Sequence, residues 1–397
     1  MFTARSYQAT AEEKAIEYFE SKSKKRPLII SPTGSGKSII IAFITKRLIK
    51  DVLILQPTIE LLHQNYEKFI MCGGNASIYS AGAGSKEIGD VTFATIGSVV
   101  NVPELFEHKK HIIVDECHRV PPKKDSMYMR FFAKINVKKY LGLTATAFRN
   151  KTAFCPITEE AYTKLNLLTR ERPKFFNQIL HVSQISEMYD MGFLAPIKWL
   201  QLEWSGELLK NNSTGAEYTD ESIKESVDYN RIKERLPNIV KDALSKGRKH
   251  ILVFVKSVDT AEALAKITPR SACVSARNNK KERALILNQF KNGDIDVVYN
   301  VSVLTTGFDF PALDTVILAR PTRSLELYMQ MVGRGIRLHE SKEYCVVLDM
   351  CSNYKRFGKI EDMEYVNDID PAFQYGLKTN WILRNKERIL SGVKLDF

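Results

Sequence analysis

Three short stretches of this sequence bring together residue types that can do chemistry. In "SPTGSGKS" (31–38), Gly34 and Gly36 let the backbone bend so that successive N–H groups point into one concavity, just before an apolar helical run. Such a loop is an anion nest, in which Lys37 can reach outer phosphates and Ser38 can hold Mg2+ through its hydroxyl. The general phosphate-loop pattern begins with Gly, where this chain has Ser31. The second stretch, "HIIVDECHR" (111–119), ends an apolar run in paired acids. Following a phosphate loop, Asp115 is the natural carboxylate for the cation, directly or through water, and Glu116 is placed to orient or deprotonate a water. Alone, the pair would read as a helix cap or solvated acids, and His118 as a structural histidine. The third, "YMQMVGRGIR" (328–337), spaces Arg334 and Arg337 three apart. On a helix that spacing puts two guanidinium forks on one face, waiting for an anion held elsewhere.

The elements that must position these residues recur along the chain. Apolar, β-branched runs "RPLIIS", "DVLILQP", "VTFATI", "HIIVDE" and "KYLGLTAT" alternate with helical patterns, as buried strands of a parallel α/β sheet do. The alternation breaks from about 151 to 191. It resumes with "HILVFV", "SACVSA", "DIDVVYNVS", "DTVILAR" and "YCVVLDM", with helices such as "KKERALILNQF" between them. Two α/β domains in succession are therefore expected, over 1–191 and 192–361, followed by a basic helical extension over 362–397. "GELLKNNSTGAEYTD" (206–220) reads as an exposed loop. No repeat of solenoid period is present.

A chain of 397 residues exceeds what one hydrophobic core usually supports, and 44% hydrophobic with 26% charged residues is an ordinary globular composition. The net charge of +12 points to a polyanionic partner, nucleic acid before anionic membrane. No stretch approaches the ~20 apolar residues of a membrane span, and "MFTARSYQATAEEK" is not patterned as a signal peptide. Cys72, Cys117, Cys155, Cys273, Cys345 and Cys351 form no CxxC pair, which argues against disulfides and a zinc site. A cytoplasmic, or at least intracellular, location is expected.

In order along the chain, "RSYQ" (5–8), "SPTGSGKS" (31–38), "QPTIELLHQ" (56–64), "DECH" (115–118), "LTAT" (143–146), "TTGFDFP" (305–311) and "QMVGRGIR" (330–337) resemble the successive motifs of superfamily 2 helicases. The subgroup is DExH-type, similar to XPB-like and phage UvsW-like DNA helicases and to the helicase subunits of restriction enzymes. The resemblance spans roughly 1 to 360. It implies two tandem RecA-like domains with an ATP site in the cleft between them. It further implies that Arg5 and Gln8 read adenine, and that Pro32, Thr33, Gly34, Ser35, Gly36, Lys37 and Ser38 hold the phosphates, with Ser38 and Asp115 on Mg2+. Glu116 activates water. His118, Thr144 and Thr146 couple the nucleotide pocket to nucleic acid, Gly307 and Asp309 touch both ligands, and Gln330, Arg334 and Arg337 complete the ATP site from the opposite domain. Two departures are visible: Ala147 stands where many relatives have Pro, and Thr306 where many have Glu.

By the same resemblance, Pro57, Thr58, Thr95, Thr305 and Thr306 face nucleic-acid phosphates, joined by Lys256 and Ser257 after "HILVFV". Backbone contacts carry little base information, so sequence-independent, salt-sensitive binding is expected. "WILRNKERIL", with Trp381, Arg384, Lys386 and Arg388, reads either as a surface that stacks on a DNA strand or as a helix packing on the second domain. The resemblance implies an ATP hydrolase: a DNA helicase or translocase acting on forked or branched DNA, expected to work as a monomeric motor. An RNA helicase, or the motor subunit of a nuclease or restriction complex, are the alternatives. "DECH" differs from the "DEAD" common among RNA-acting relatives.

Overall fold

A computed structural model of the chain describes residues 3–154, 161–304, 308–366 and 376–378. The chain forms two compact units. The first comprises 1–149, 166–184 and 365–376, and the second 150–165, 185–364 and 377–397. Of the extension expected over 362–397, only 362–366 and 376–378 are described, so Trp381, Arg384, Lys386 and Arg388 lie outside the described residues.

In the first unit, the strands are β1 (Pro27–Ile30), β2 (Val52–Gln56), β3 (Ser77–Ser80), β4 (Ser85–Lys86), β5 (Val91–Thr95), β6 (His111–Val114) and β7 (Lys139–Thr144). β8 (Phe148–Phe154) and β9 (Ala161–Leu167) pair with each other, with 150–165 belonging to the second unit, and β10 (Gln178–Val182) returns to the first unit's main sheet. That sheet has the order β10-β1-β7-β6-β2-β5-β3-β4, parallel throughout except for β3 with β4. Helices α1 (Ser6–Glu20), α2 (Lys37–Leu48), α3 (Ile59–Met71), α4 (Ile96–Val99) and α5 (Met127–Phe132) accompany it. A parallel sheet must be covered on both faces, which is why β1, β2 up to its terminal Gln56 and the body of β6 are apolar and buried. Ile40, Ile41 and Ile44 of α2 pack with Ile29, Ile54 and Leu143 of the sheet. Each such side chain contributes roughly 1.5–3 kcal/mol on burial.

The second unit repeats the plan. Its strands β11 (Ile197–Gln201), β12 (Ile251–Phe254), β13 (Ser271–Val274), β14 (Val297–Asn300), β15 (Thr315–Leu318) and β16 (Cys345–Asp349) are all parallel, in the order β11-β16-β15-β12-β14-β13. Its helices are α6 (Ile185–Asp190), α7 (Asp220–Tyr229), α8 (Ile232–Ser245), α9 (Val258–Ile267), α10 (Lys280–Asn292), α11 (Leu325–Val332) and α12 (Asn353–Phe357).

The segment 151–191, where the sequence alternation breaks, contributes the edge strand β10 to the first sheet and α6 to the second unit. The 206–220 loop is a fastened structure: Asn211 bridges to Tyr218, and the Glu217 carboxylate accepts from Arg323 N (2.8 Å) and the Thr322 hydroxyl. Among the described residues no helix is long and apolar enough to cross a membrane. Cys72, Cys117, Cys273, Cys345 and Cys351 are free thiols, and Cys155 lies outside the described residues.

Candidate functional site

The expected site residues of the first unit gather at the C-terminal edge of its sheet, where open α/β sheets bind ligands. From β1 the chain enters the glycine loop at Ser31, whose N–H extends the ladder to Thr144 O of β7 (2.9 Å). Gly34 (φ +87°) and Gly36 (φ +77°) supply the left-handed backbone that turns the loop into α2. The Ser35 hydroxyl donates to Pro32 O (2.6 Å), so the 2.6 Å contact between Ser31 and Ser35 hydroxyls has Ser31 as donor. The serine standing in place of the usual glycine thereby ties the first loop residue to the fifth.

α1 locks the same loop from outside. Gln8 donates through Nε2 to Ser35 O (2.9 Å), Tyr7 donates its hydroxyl to the same carbonyl (2.7 Å), and Gln8 Oε1 accepts from Arg5 N (3.0 Å). A Cβ on Gly36 would sit 2.7 Å from Gln8 Nε2, so the close approach of this amide requires glycine. Both ends of the Gln8 amide are thus engaged with the loop and the start of α1. Tyr7 was not singled out by sequence reasoning, although it sits between Arg5 and Gln8.

At the end of β6, Asp115 is 2% exposed. Its Oδ1 accepts from Glu116 N (2.8 Å) and its Oδ2 from Asn65 Nδ2 of α3 (2.7 Å). Burial, and then the charge of Glu116, push the Asp115 carboxyl above the usual aspartate range. Glu116 takes a left-handed conformation (φ +47°), which for a non-glycine residue stores about 1–3 kcal/mol. That turn directs its carboxylate to Lys37 Nζ (2.7 Å) and to His118 Nδ1 (3.3 Å). Burial would raise Glu116, but Lys37 and then His118 outweigh it and hold the carboxyl below its ordinary value.

His118 Nδ1 also contacts Thr144 Oγ1 (2.8 Å) and Thr146 Oγ1 (3.4 Å), and Thr144 Oγ1 accepts from Thr146 N (3.1 Å). The three residues expected to couple the site are therefore one cluster joined to Glu116. Arg149 backs it by donating to His118 O and by a bidentate pair with Glu171 (both 2.7 Å).

Asn65, Arg149 and Glu171 escaped sequence reasoning. For Asn65 a signal existed: it shares the buried stripe Leu61, Leu62, Phe69 of α3, and a polar residue on an apolar stripe needs a partner. The Ser38 hydroxyl and the Asp115 carboxylate are hard oxygen donors. Among the described residues no cluster of three or more His, Cys, Asp or Glu side chains offers a metal cage. Two protein oxygens with the rest left to phosphate and water is the donor set Mg2+ takes, so these residues fit it. There it would neutralise phosphate charge.

Farther along the same edge, Thr58 at the end of β2 caps α3 by accepting from Leu61 N (3.4 Å), with Pro57 just before it. Thr95, ending the neighbouring β5, shares hydroxyl contacts with Ser80 (3.0 Å) and Ser98 (2.9 Å). The sheet order thus sets Pro57 and Thr58, just past β2, and Thr95 of β5 beyond β6 from the glycine loop.

In the second unit, Lys256 pairs with Asp220 (2.8 Å), and Ser257 caps α9 through Thr260 N (3.4 Å). Gln330 donates to Glu326 Oε1 (3.1 Å). Arg334 and Arg337 do not lie on a helix: α11 ends at Val332, and both follow its C-cap, Gly333. Just beyond, a Cβ on Gly335 would meet Cys345 Sγ at 2.4 Å, so this position needs glycine. The two guanidinium groups nevertheless converge, donating to Phe308 O at 2.6 and 3.1 Å, and Arg337 pairs with Asp309 (2.8 Å). Arg334 is 6% exposed. Burial lowers the Arg337 pKa, opposed by Asp309. Arg320, also buried, donates to Ser302 Oγ (3.1 Å) and was not anticipated. Thr305, Thr306 and Gly307 lie outside the described residues.

The family described as "Type III restriction enzyme, res subunit" matches residues 1–149, and "Helicase conserved C-terminal domain" matches 232–339. A Lactococcus phage "51.5 kDa protein" is 26% identical over 83% of this chain and 67% of its own length. "DNA 3'-5' translocase XPB2" of Sulfurisphaera tokodaii is 27% identical over 84% of this chain and 78% of its own. Among solved structures, "ATP-dependent Type ISP restriction-modification enzyme LlaBIII bound to DNA" superimposes with a TM-score of 0.63 at 16% identity, covering 88% of this chain and 28% of that one. The chain spans 58% of a Schizosaccharomyces pombe relative and 26% of a Saccharomyces cerevisiae one, so several relatives are much longer.

Proposed function

We propose that the chain is a superfamily 2 helicase with tandem RecA-like domains, acting as an ATP-driven DNA translocase or helicase on forked or branched DNA. One observation carries the reading. Lys37 of the glycine loop and Glu116 of the strand-end acids, far apart in sequence, meet at 2.7 Å beside a buried Asp115. That set can bind a triphosphate, neutralise it and orient a water, which is most of what phosphoryl transfer asks of a protein.

On this reading Arg334 and Arg337 trade the Phe308 carbonyl for a γ-phosphate held by the first unit. A guanidinium delivered there is worth roughly 10³–10⁵ in rate. Hydrolysis would then require closure of the two units, and closing and reopening would move two grips along the polymer. Pro57, Thr58 and Thr95 in the first unit, with Lys256, Ser257, Thr305 and Thr306 in the second, are the proposed grips. DNA is favoured by the relatives, which include a DNA translocase and a DNA-bound restriction enzyme. A second reading, the motor subunit of a restriction or nuclease complex, is supported by the family matched over 1–149 and by a 22% identical Escherichia coli EcoAI endonuclease subunit covering 98% of this chain.

The test is ATP hydrolysis and strand displacement with single-stranded DNA, duplex, fork, four-way junction and RNA. Stimulation by DNA with displacement of forked strands is expected. Stimulation by RNA alone would overturn the DNA assignment, and hydrolysis without displacement would favour the subunit reading. Lys37→Ala and Arg334→Ala should each abolish hydrolysis and leave DNA binding largely intact. Normal turnover in either would refute the assignment of the site.

A further inference from the structure

The chain leaves the first unit after Gln184 and re-enters it at Tyr365. These two residues are clipped together. Gln184 Nε2 donates to Tyr365 O (2.5 Å), and Tyr365 N donates to Gln184 Oε1 (3.0 Å), so a side-chain amide imitates a rung of a strand ladder. The Tyr365 ring then runs into the unit, 6% exposed, and its hydroxyl accepts from Ala147 N (3.3 Å). The carbonyl of Ala147 accepts from Leu168 N (2.8 Å), so both backbone groups of this buried residue are fixed within the same unit.

Ala147 directly follows Thr144–Thr146, whose hydroxyls hold His118 and, through it, face Glu116. A continuous line of contacts therefore runs from the re-entry point of the chain to the acid beside Lys37. The link depends on a departure from the family pattern. Proline, the residue many relatives carry after this triplet, has no N–H to give to Tyr365.

We propose that Tyr365 is a positioning residue that ties the Thr144–Ala147 turn, and with it the His118–Glu116 contact, to the place where the chain returns from the second unit. A displacement arriving through Glu364 is then passed by one covalent step to the residue that holds this turn. The consequence for turnover rests on the reading that nucleic acid stimulates ATP hydrolysis by this chain.

Tyr365→Phe removes one oxygen and keeps the buried ring. The expected results are amide exchange at Ala147 about tenfold faster and nucleic-acid stimulation of ATP hydrolysis lowered about five- to tenfold, with the unstimulated rate within about twofold. Ala147→Pro deletes the other partner and should give the same loss of stimulation. The double variant should be no worse than about twofold beyond the larger single effect, since both remove one bond.

Unchanged exchange at Ala147 in Tyr365→Phe overturns the proposal. So does a fall of stimulated and unstimulated rates by one common factor, which marks a purely structural role, and so do effects of the two substitutions that multiply. If the native chain hydrolyses ATP with no response to any nucleic acid, the functional reading fails instead. The exchange measurement then decides the link alone, faster exchange supporting it and unchanged exchange overturning it.

Discussion

Asn65→Leu isolates what the α3 amide does for the cation-side carboxylate. Asn65 is 1% exposed and donates to Asp115 Oδ2 at 2.7 Å. Leucine keeps the volume and the helix but removes the donor. A hydrogen bond to a charged group is worth about 1.5–3 kcal/mol, nearly all of it to the ionised carboxylate. Losing that bond should therefore raise the Asp115 pKa further. The sign is upward because the Asn65 bond lowers a carboxyl that burial and Glu116 already raise. The acid limb of kcat/KM for MgATP reports the free enzyme, so it should move to higher pH. On the acid side of the limb the variant should be slower by roughly tenfold for every pH unit the limb has moved, and the two profiles should converge at high pH. Phosphate release measured from about pH 5.5 to 9 would show it. A limb that stays put, a limb that moves down, or a loss equal at all pH values would each refute the role given to Asn65.

Gly36→Ala forces a side chain onto a left-handed residue, costing about 1–2 kcal/mol, and pushes Gln8 Nε2 from its 2.7 Å approach, costing about 1 kcal/mol more. The chain should stay folded while KM for ATP rises roughly tenfold or more, and an unchanged KM in steady-state assays would contradict the fit. Glu116→Gln keeps the shape but weakens the hold on Lys37 at 2.7 Å, so ATP should bind at least as tightly while hydrolysis is lost; filter binding beside single-turnover assays checks both. His181 is pushed down to about 4, by burial first and then by Lys14. Its folded value lies below the unfolded one, so its contribution is present above about pH 6.5 and lost as pH falls toward 4, about 1–2 kcal/mol after allowing for solvent access. Denaturant unfolding of His181→Gln should show a shallower loss over that window, and parallel curves would exclude this cause.

The central strands were legible because burial on both faces writes them as continuous apolar runs, "PLII" and "VLILQ" being examples. β10 and β11 were not, since both are edge strands. "QILHV" and "IKWLQ" mix polar with apolar residues because edge positions leave side chains partly in water. The glycine loop, the acids and the threonines were legible because their chemistry restricts residue type. Asn65, Tyr7, Arg149 and Tyr365 act by reaching a particular atom from an element distant in sequence, and no local pattern records where such a side chain ends. The helix expected beneath Arg334 and Arg337 failed because α11 already stops at Val332 with Gly333 as its cap, and three-residue spacing alone does not record where a helix ends.

Both units hold the cations of the candidate site on internal acceptors. Lys37 rests on Glu116, and Arg334 and Arg337 rest on the Phe308 carbonyl, with Asp309 taking the second charge. A buried cation left without such partners would cost several kcal/mol, so these acceptors are what allow the charges to stand in largely dehydrated places. A phosphate taken up at either place would compete with these protein oxygens for N–H donors, of which an ammonium has three and a guanidinium five, so the affinity measured would be net of that competition.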